Sequence, residues 1–298
     1  MKNINFKDYL ILVRFPNLFT LPSNILVGFV IVSTLSQIVF VQVLFVVTIS
    51  ILIYCVGIML NDYFDFTIDK KERPDRPLPS GKISRKIAIL LAFVFSILVL
   101  ILSFIVSMQT LAISSILLAV VFGYDKYLKK TPVGPYTIAT ARVMNILLGV
   151  SVNINNIGNY SQIVIITFVL SITFVYVSLI GFLSKYEIYG FSNNLKLFLF
   201  PTVLGVIITS IVLFSYAGFF RYDSLIILAL FSFIMGLSYY KISKKDSLGI
   251  QKIIQNMILS IIILDSTFLS GIGGIELGLV VLTLLAPLHL LSKKMYMT

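Results

Sequence analysis

Asn61-Asp62-Tyr63-Phe64-Asp65-Phe66-Thr67-Ile68-Asp69 closes the long apolar run Ile38–Met59. Lys70-Lys71-Glu72-Arg73-Pro74-Asp75-Arg76-Pro77-Leu78-Pro79-Ser80-Gly81-Lys82 follows at once. An apolar run that ends in three carboxylates and an amide reads as a membrane helix meeting water at a built polar site. On a continuous helix Asn61, Asp65 and Asp69 stand at i, i+4 and i+8 on one face, and Asp62 flanks that face. Carboxylates crowded in this way repel each other unless a cation lies between them. Such oxygen donors suit Mg2+, which usually takes one or two carboxylates together with phosphate oxygens. The arginines and lysines just beyond are the residue types that hold those phosphates. At a membrane surface the pattern is that of a site for a lipid diphosphate.

The rest of the chain supplies the membrane. Of its 298 residues 58% are hydrophobic and only 12% charged, and mean hydropathy is +1.04, well beyond a soluble domain. Ten apolar runs are legible: Leu21–Thr34, Ile38–Met59, Ile87–Val106, Leu111–Phe122, Ile138–Val152, Ile163–Leu183, Leu197–Ala217, Leu225–Tyr240, Ile253–Leu269 and Leu277–Leu291. Several fall short of the ~20 residues that a perpendicular span needs, so their ends draw on flanking Tyr, Ser and Thr. The expected fold class is all-α, a multi-pass transmembrane bundle of nine or ten helices forming a single domain over residues 1–298. The tenth run is the weakest span, because it carries Pro287 and His289. No cleavable signal segment, soluble domain or linker is expected. The lone Cys55, inside an apolar run, excludes a disulfide framework and a cysteine metal site.

A net charge of +11 in a soluble protein would suggest nucleic acid. The distribution decides against it. When alternate loops are assigned to the cytoplasm, all but Arg142 and Arg221 of the 23 basic residues fall on that side. The positive-inside rule then puts the N-terminus and the polar loops in the cytoplasm of a cell-membrane protein. Pro74, Pro77 and Pro79 stiffen the first of these loops and Gly81 closes it, so its basic side chains are expected to be held.

Polar residues elsewhere admit two readings each. Lys126, Lys129 and Lys130, in the loop after the fourth run, either grip a diphosphate or anchor the topology. Arg142 and Asn145 lie at i, i+3 inside the fifth run, where an arginine costs at least ~2.5 kcal/mol, so they face a polar cavity or tie helices together. Asn24 in the first run either lines the same cavity or bonds between helices. Glu187, after the sixth run, is a metal ligand or a solvated helix end. Asp265 in the ninth run has no evident partner, and His289 reads as a packing residue.

The pattern Asn61-Asp62-x-x-Asp65-x-x-x-Asp69, followed by Glu72-Arg73-Pro74-Asp75-Arg76-Pro77-Leu78-Pro79-Ser80-Gly81, resembles the UbiA superfamily of intramembrane prenyltransferases. Lys129-Lys130-Thr131-Pro132 is similar to that family's second loop, and Arg14-Phe15-Pro16-Asn17 to its approach to the first helix. The resemblance spans about residues 8–290 in helix arrangement. It implies a nine-helix bundle whose cavity opens to the cytoplasm, Mg2+ bridging a prenyl diphosphate, and transfer of the prenyl group to a hydrophobic acceptor. By the same resemblance Asn61, Asp62, Asp65 and Asp69 are metal ligands, with Asp65 and Asp69 catalytic. Arg73, Arg76, Lys126 and Lys130 bind the diphosphate, while Asn24, Arg142 and Asn145 line the acceptor cavity. The family's second aspartate motif, Asp-x-x-x-Asp after the sixth helix, is not intact. That position reads Ser184-Lys185-Tyr186-Glu187-Ile188-Tyr189-Gly190, and Glu187 is its only acid. The first-helix and Asn61–Ser80 segments look closest to the archaeal ether-lipid branch, whose acceptor is a glycerol-phosphate ether. The rival reading is a non-catalytic isoprenoid-lipid carrier or assembly protein that keeps the fold.

Overall fold

The computed structural model describes residues 6–33, 37–185, 194–240 and 247–292. The described residues fold as α-helices joined by short turns, in the order α1 (Phe6–Leu12), α2 (Thr20–Val32), α3 (Gln37–Phe64), α4 (Phe66–Glu72), α5 (Arg85–Val106), α6 (Met108–Gly123) and α7 (Gly134–Ser151). They continue as α8 (Tyr160–Ser184), α9 (Asn194–Tyr216), α10 (Asp223–Tyr240), α11 (Ser247–Gly273), α12 (Ile275–Leu282) and α13 (Leu285–Ser292). Among the described residues, eight helical stretches are long and apolar enough to cross a membrane. The 18-residue α7 runs among them but carries Arg142 and Asn145. The tenth apolar run is broken into α12 and α13, of 8 residues each. Neither half reaches the length of a span. Large apolar side chains such as Leu90, Phe93, Ile101 and Phe104 of α5 stand exposed on the outside. On a multi-pass membrane protein that surface meets lipid.

Two sub-bundles share a central pair. On one side α2 and α7 pack with α3, α5 and α6, and on the other with α8 and α11, next to which α9 and α10 complete the layer. The shared pair approaches very closely. A Cβ on Gly28 would fall on the Ile146 carbonyl oxygen, and one on Gly149 would fall on the Ile25 carbonyl oxygen. Membrane helices lack a hydrophobic drive toward each other and gain instead from close backbone packing at small residues. Val27, Ile31, Ile146 and Val150 are buried beside the crossing.

Hydrogen bonds across the apolar interior fix the register. Ser23 Oγ and Asn24 Nδ2 of α2 donate to Asp265 Oδ2 of α11 at 2.5 and 2.8 Å. Asp265, without evident partner in the sequence, is thus the fully buried link between first and ninth apolar runs. Helix ends at Phe64, Gly123, Ser184 and Tyr240 share one end of the bundle by alternation, and the acid motif that follows Met59 lies at that end.

Gly149→Ala tests the crossing. The added methyl meets backbone, which cannot swing aside, so a loss of about 1–3 kcal/mol is expected. It should appear as a lowered unfolding temperature in detergent, whereas Gly205→Ala, in open space on α9, should leave that temperature unchanged.

Candidate active site

The site forms where α3 stops. Asp65 leaves helical geometry (φ −86°, ψ 5°), and α4 restarts at Phe66. Asp65 N still donates to Asn61 O and Asp69 N to Asp65 O, each at 2.9 Å, so the chain bends without unravelling. The bend changes the single stripe expected for a continuous helix. It sorts the four oxygen-bearing side chains into two pairs, each with its own cation.

One pair is Asn61 and Asp65. The Lys129 ammonium donates to Asn61 Oδ1 and to Asp65 Oδ2. The other pair is Asp62 and Asp69, both buried. Arg76 Nη1 donates to Asp69 Oδ2 at 2.8 Å and lies 3.6 Å from Asp62 Oδ1. Arg14 Nη2 approaches the same Asp62 oxygen at 3.4 Å. Burial first, and then the Arg14 charge, lower the Arg76 guanidinium from its ordinary value, while Asp62 and Asp69 act the other way. An arginine stays protonated through such a shift. Its Nη2 is a buried donor left without a hydrogen-bond partner among the described residues.

Local structure holds these cations in place. Leu78 and Ile83 bury in a core with Leu12, Met59, Ala88 and Ala92. Ser80 N donates to Arg76 O at 3.0 Å and Ile83 N to Pro77 O at 3.1 Å, so the proline-rich loop is held as expected. Arg85 caps it, its guanidinium 4.6 Å from the Tyr63 ring and 4.8 Å from the Phe66 ring. Arg14 adopts φ 47°, ψ 55°, a left-handed conformation that costs a non-glycine residue about 1–2 kcal/mol. Lys129 follows the turn Tyr124–Leu128, which is wound as a π-helix.

The remaining expected residues are placed as follows. Lys126 and Lys130 are exposed, and the Lys126 ammonium lies over the Phe122 and Tyr127 rings. The structure does not bring either to the acids; Lys129 comes instead. Arg73 is half-buried at the C-terminus of α4. Deeper in the bundle, Arg142 Nη2 donates to Thr20 O at 3.3 Å, and its Nε is buried without a partner. Asn145 Oδ1 accepts from Ser50 Oγ at 2.7 Å, and Asn24 is bonded to Asp265. These three tie helices together below the acid cluster. Glu187 lies outside the described residues. Arg14 joins the acids although its residue type alone did not mark it; the available signal was its place just before the first apolar run.

Among the described residues no three His, Cys, Asp or Glu side chains converge in metal-ligand geometry. The donor chemistry nonetheless fits Mg2+. Asn61 and Asp65 already direct two oxygens at one cation, the Lys129 ammonium, and Mg2+ needs no more protein ligands when phosphates supply the rest.

A family model described as the UbiA prenyltransferase family matches residues 21–262. Among curated relatives, the digeranylgeranylglyceryl phosphate synthase of Sulfurisphaera tokodaii is 30% identical over 144 residues, covering 48% of this chain and 51% of its own. The enzyme of the same name from Sulfolobus acidocaldarius is 30% identical over 173 residues, covering 57% and 62%. This chain therefore spans only about half of the length of such relatives. Among solved structures, one of digeranylgeranylglyceryl phosphate synthase superposes with a TM-score of 0.65 at 21% identity, over 91% of this chain and 99% of that one. A UbiA homologue from Archaeoglobus fulgidus, bound to DMAPP and Mg2+, gives 0.63 at 15% identity, over 93% and 99%. The likeness to these structures is one of fold.

Lys129→Met opens the Asn61–Asp65 pair to another cation. Mn2+ binding to the protein alone, followed by electron paramagnetic resonance, is expected to tighten about tenfold, or about 1.4 kcal/mol. Unchanged affinity would mean that the ammonium and the metal do not compete for these oxygens.

Proposed function

The chain belongs to the UbiA prenyltransferase family, and on that premise we propose that it transfers a prenyl group from a polyprenyl diphosphate to a lipid-soluble acceptor, with Mg2+ as cofactor. The observation that carries this reading is the convergence of Arg14, Arg76 and Lys129 on one acid cluster, with the buried Arg76 Nη2 left unfilled. A cation-rich pocket of this kind, with acids to hold a metal, is made for a diphosphate.

Each group has a part. Asn61 and Asp65 are the metal ligands best placed by their shared cation; Asp62 and Asp69 hold Arg76 and Arg14 in position. Mg2+, when bound there, supplies positive charge that steadies the departing diphosphate. Arg76 donates its free edge to a phosphate oxygen, and Lys129, released from Asn61 and Asp65, neutralises a second. Such charge-assisted donors lie ready before charge develops on the leaving group, which is where they lower the barrier. Arg73, Lys126 and Lys130 sit further out and draw the anionic donor toward the site. The isoprenoid tail lies against apolar helix faces, and Arg142, Asn24 and Asn145 form the polar floor of the interior.

Two finer statements belong to the same reading. The end of the bundle that carries the acids and nearly all the basic loops faces the cytoplasm, together with the N-terminus. The acceptor is a glyceryl-phosphate ether lipid with a free hydroxyl, a class supported by the names of the relatives. The partners are thus a polyprenyl diphosphate, this hydrophobic acceptor and the bilayer, with no nucleic acid.

Binding of radiolabelled geranylgeranyl diphosphate to purified protein in detergent tests the proposal. Binding should saturate, require Mg2+, and weaken about 100-fold in Asp65→Ala, the loss of one ligand and one charge-assisted partner. Folded wild-type protein that binds no donor would favour the carrier reading.

A further inference from the structure

Among the described residues, three carboxylates at the site, Asp62, Asp65 and Asp69, are each committed to a cation. Asp62 faces Arg14 and Arg76, Asp69 accepts from Arg76, and Asp65 holds Lys129. Protonating any of them would break a pair that keeps the cations in place. Asp125 is different. It has neither a hydrogen bond nor an ion pair with any described residue, although it is half-buried.

Its position is set by an irregular turn. Lys129 N donates to Tyr124 O at 2.9 Å, five residues back, so Tyr124–Leu128 winds as a π-helix. Such turns are rare and recur at functional sites. Here the wide turn sends Lys129 into the acids of α3. It also keeps Asp125 within electrostatic reach of Asp65 and Asp62 from α3, Arg14 from the connection between α1 and α2, and Lys129 on its own segment. Of its other charged neighbours in sequence, Lys126 is turned onto the Phe122 and Tyr127 rings. Two carboxylate oxygens that no described residue hydrogen-bonds or ion-pairs therefore stand near the acids of the site, with Lys129 and Arg14 acting on them only at longer range.

We propose that Asp125 is the general base that receives the proton of the acceptor hydroxyl. The assignment rests on the reading of the acceptor as an alcohol. As the acceptor oxygen bonds to the allylic carbon of the donor, the bond from that carbon to the diphosphate oxygen breaks, and its electron pair leaves on the diphosphate. The new ether oxygen carries an excess proton at that stage. Asp125 takes it through one carboxylate oxygen and returns it to solvent after the products leave. Among the described residues the other carboxylates are already paired with cations, and without a free base attack by a neutral alcohol is slowed.

The test compares wild type, Asp125→Asn and Asp125→Glu with geranylgeranyl diphosphate, Mg2+ and a geranylgeranylglyceryl phosphate acceptor. Asp125→Asn should lower kcat about 100-fold or more. Mg2+-dependent donor binding should stay within about twofold, Asp125→Glu should recover part of the rate, and the acidic limb of the wild-type pH profile should vanish in the asparagine variant. Full turnover in Asp125→Asn overturns the assignment. So does a parallel loss of donor binding, which would make Asp125 part of the metal and diphosphate site. Wild-type protein that binds donor but forms no ether overturns the acceptor reading, and this assignment with it.

Discussion

Carboxylates at the end of a membrane helix repel one another and lose hydration, and the cations that answer them organise this end of the molecule. Arg14 comes from the segment before α2, Arg76 from the loop after α4, and Lys129 from the turn after α6. Each ion pair therefore pins a different connection onto the end of α3. Removing one partner of a buried pair typically costs about 3–5 kcal/mol, because the other charge is left stranded. The same arrangement is poised for chemistry. In the proposed function, a diphosphate with Mg2+ would exchange one set of charge partners for another, and the unfilled Arg76 Nη2 would gain an acceptor.

The apolar part of the bundle serves that site by fixing its depth and orientation. The backbone contact of α2 with α7 at Gly28 and Gly149 leaves little freedom along or about the helix axes. Asp265 joins α2 to α11 through Ser23 and Asn24, and Asn145 joins α7 to α3 through Ser50. An ionisable residue in mid-membrane is costly unless it has partners. Here those partners lie on α2, which Arg14 precedes by the short turn Phe15–Phe19. Helix packing and site electrostatics thus meet in the first twenty-five residues.

Most of the fold was legible because length and hydropathy alone constrain membrane helices. The apolar runs correspond to the long helices, and Pro287 and His289 marked the run that breaks into α12 and α13. The acid motif and the stiff loop could likewise be read from residue type. What the sequence did not disclose depends on departures from regular helix. Spacing of i, i+4 and i+8 places Asn61, Asp65 and Asp69 together only if the helix continues, and it bends at Asp65. Lys126 and Lys130 looked as eligible as Lys129, but the π-helical turn decides which one reaches the acids. Asp125, proposed above as the base, has the same obscurity in sequence: it is one carboxylate among lysines at a helix end. Its spacing of four from Lys129 was the available signal. The partner of Asp265 lies more than 200 residues away, beyond any local pattern.

Under the proposed function, the Lys129 ammonium, which bridges Asn61 and Asp65, would hold the place of Mg2+ until a diphosphate binds. Anomalous diffraction from crystals grown with Mn2+ and a non-hydrolysable geranylgeranyl thiodiphosphate addresses it directly. An anomalous peak coordinated by Asn61 and Asp65, with Lys129 turned toward a phosphate oxygen, is the expected result. A peak elsewhere, with Lys129 still bonded to Asp65, would contradict it.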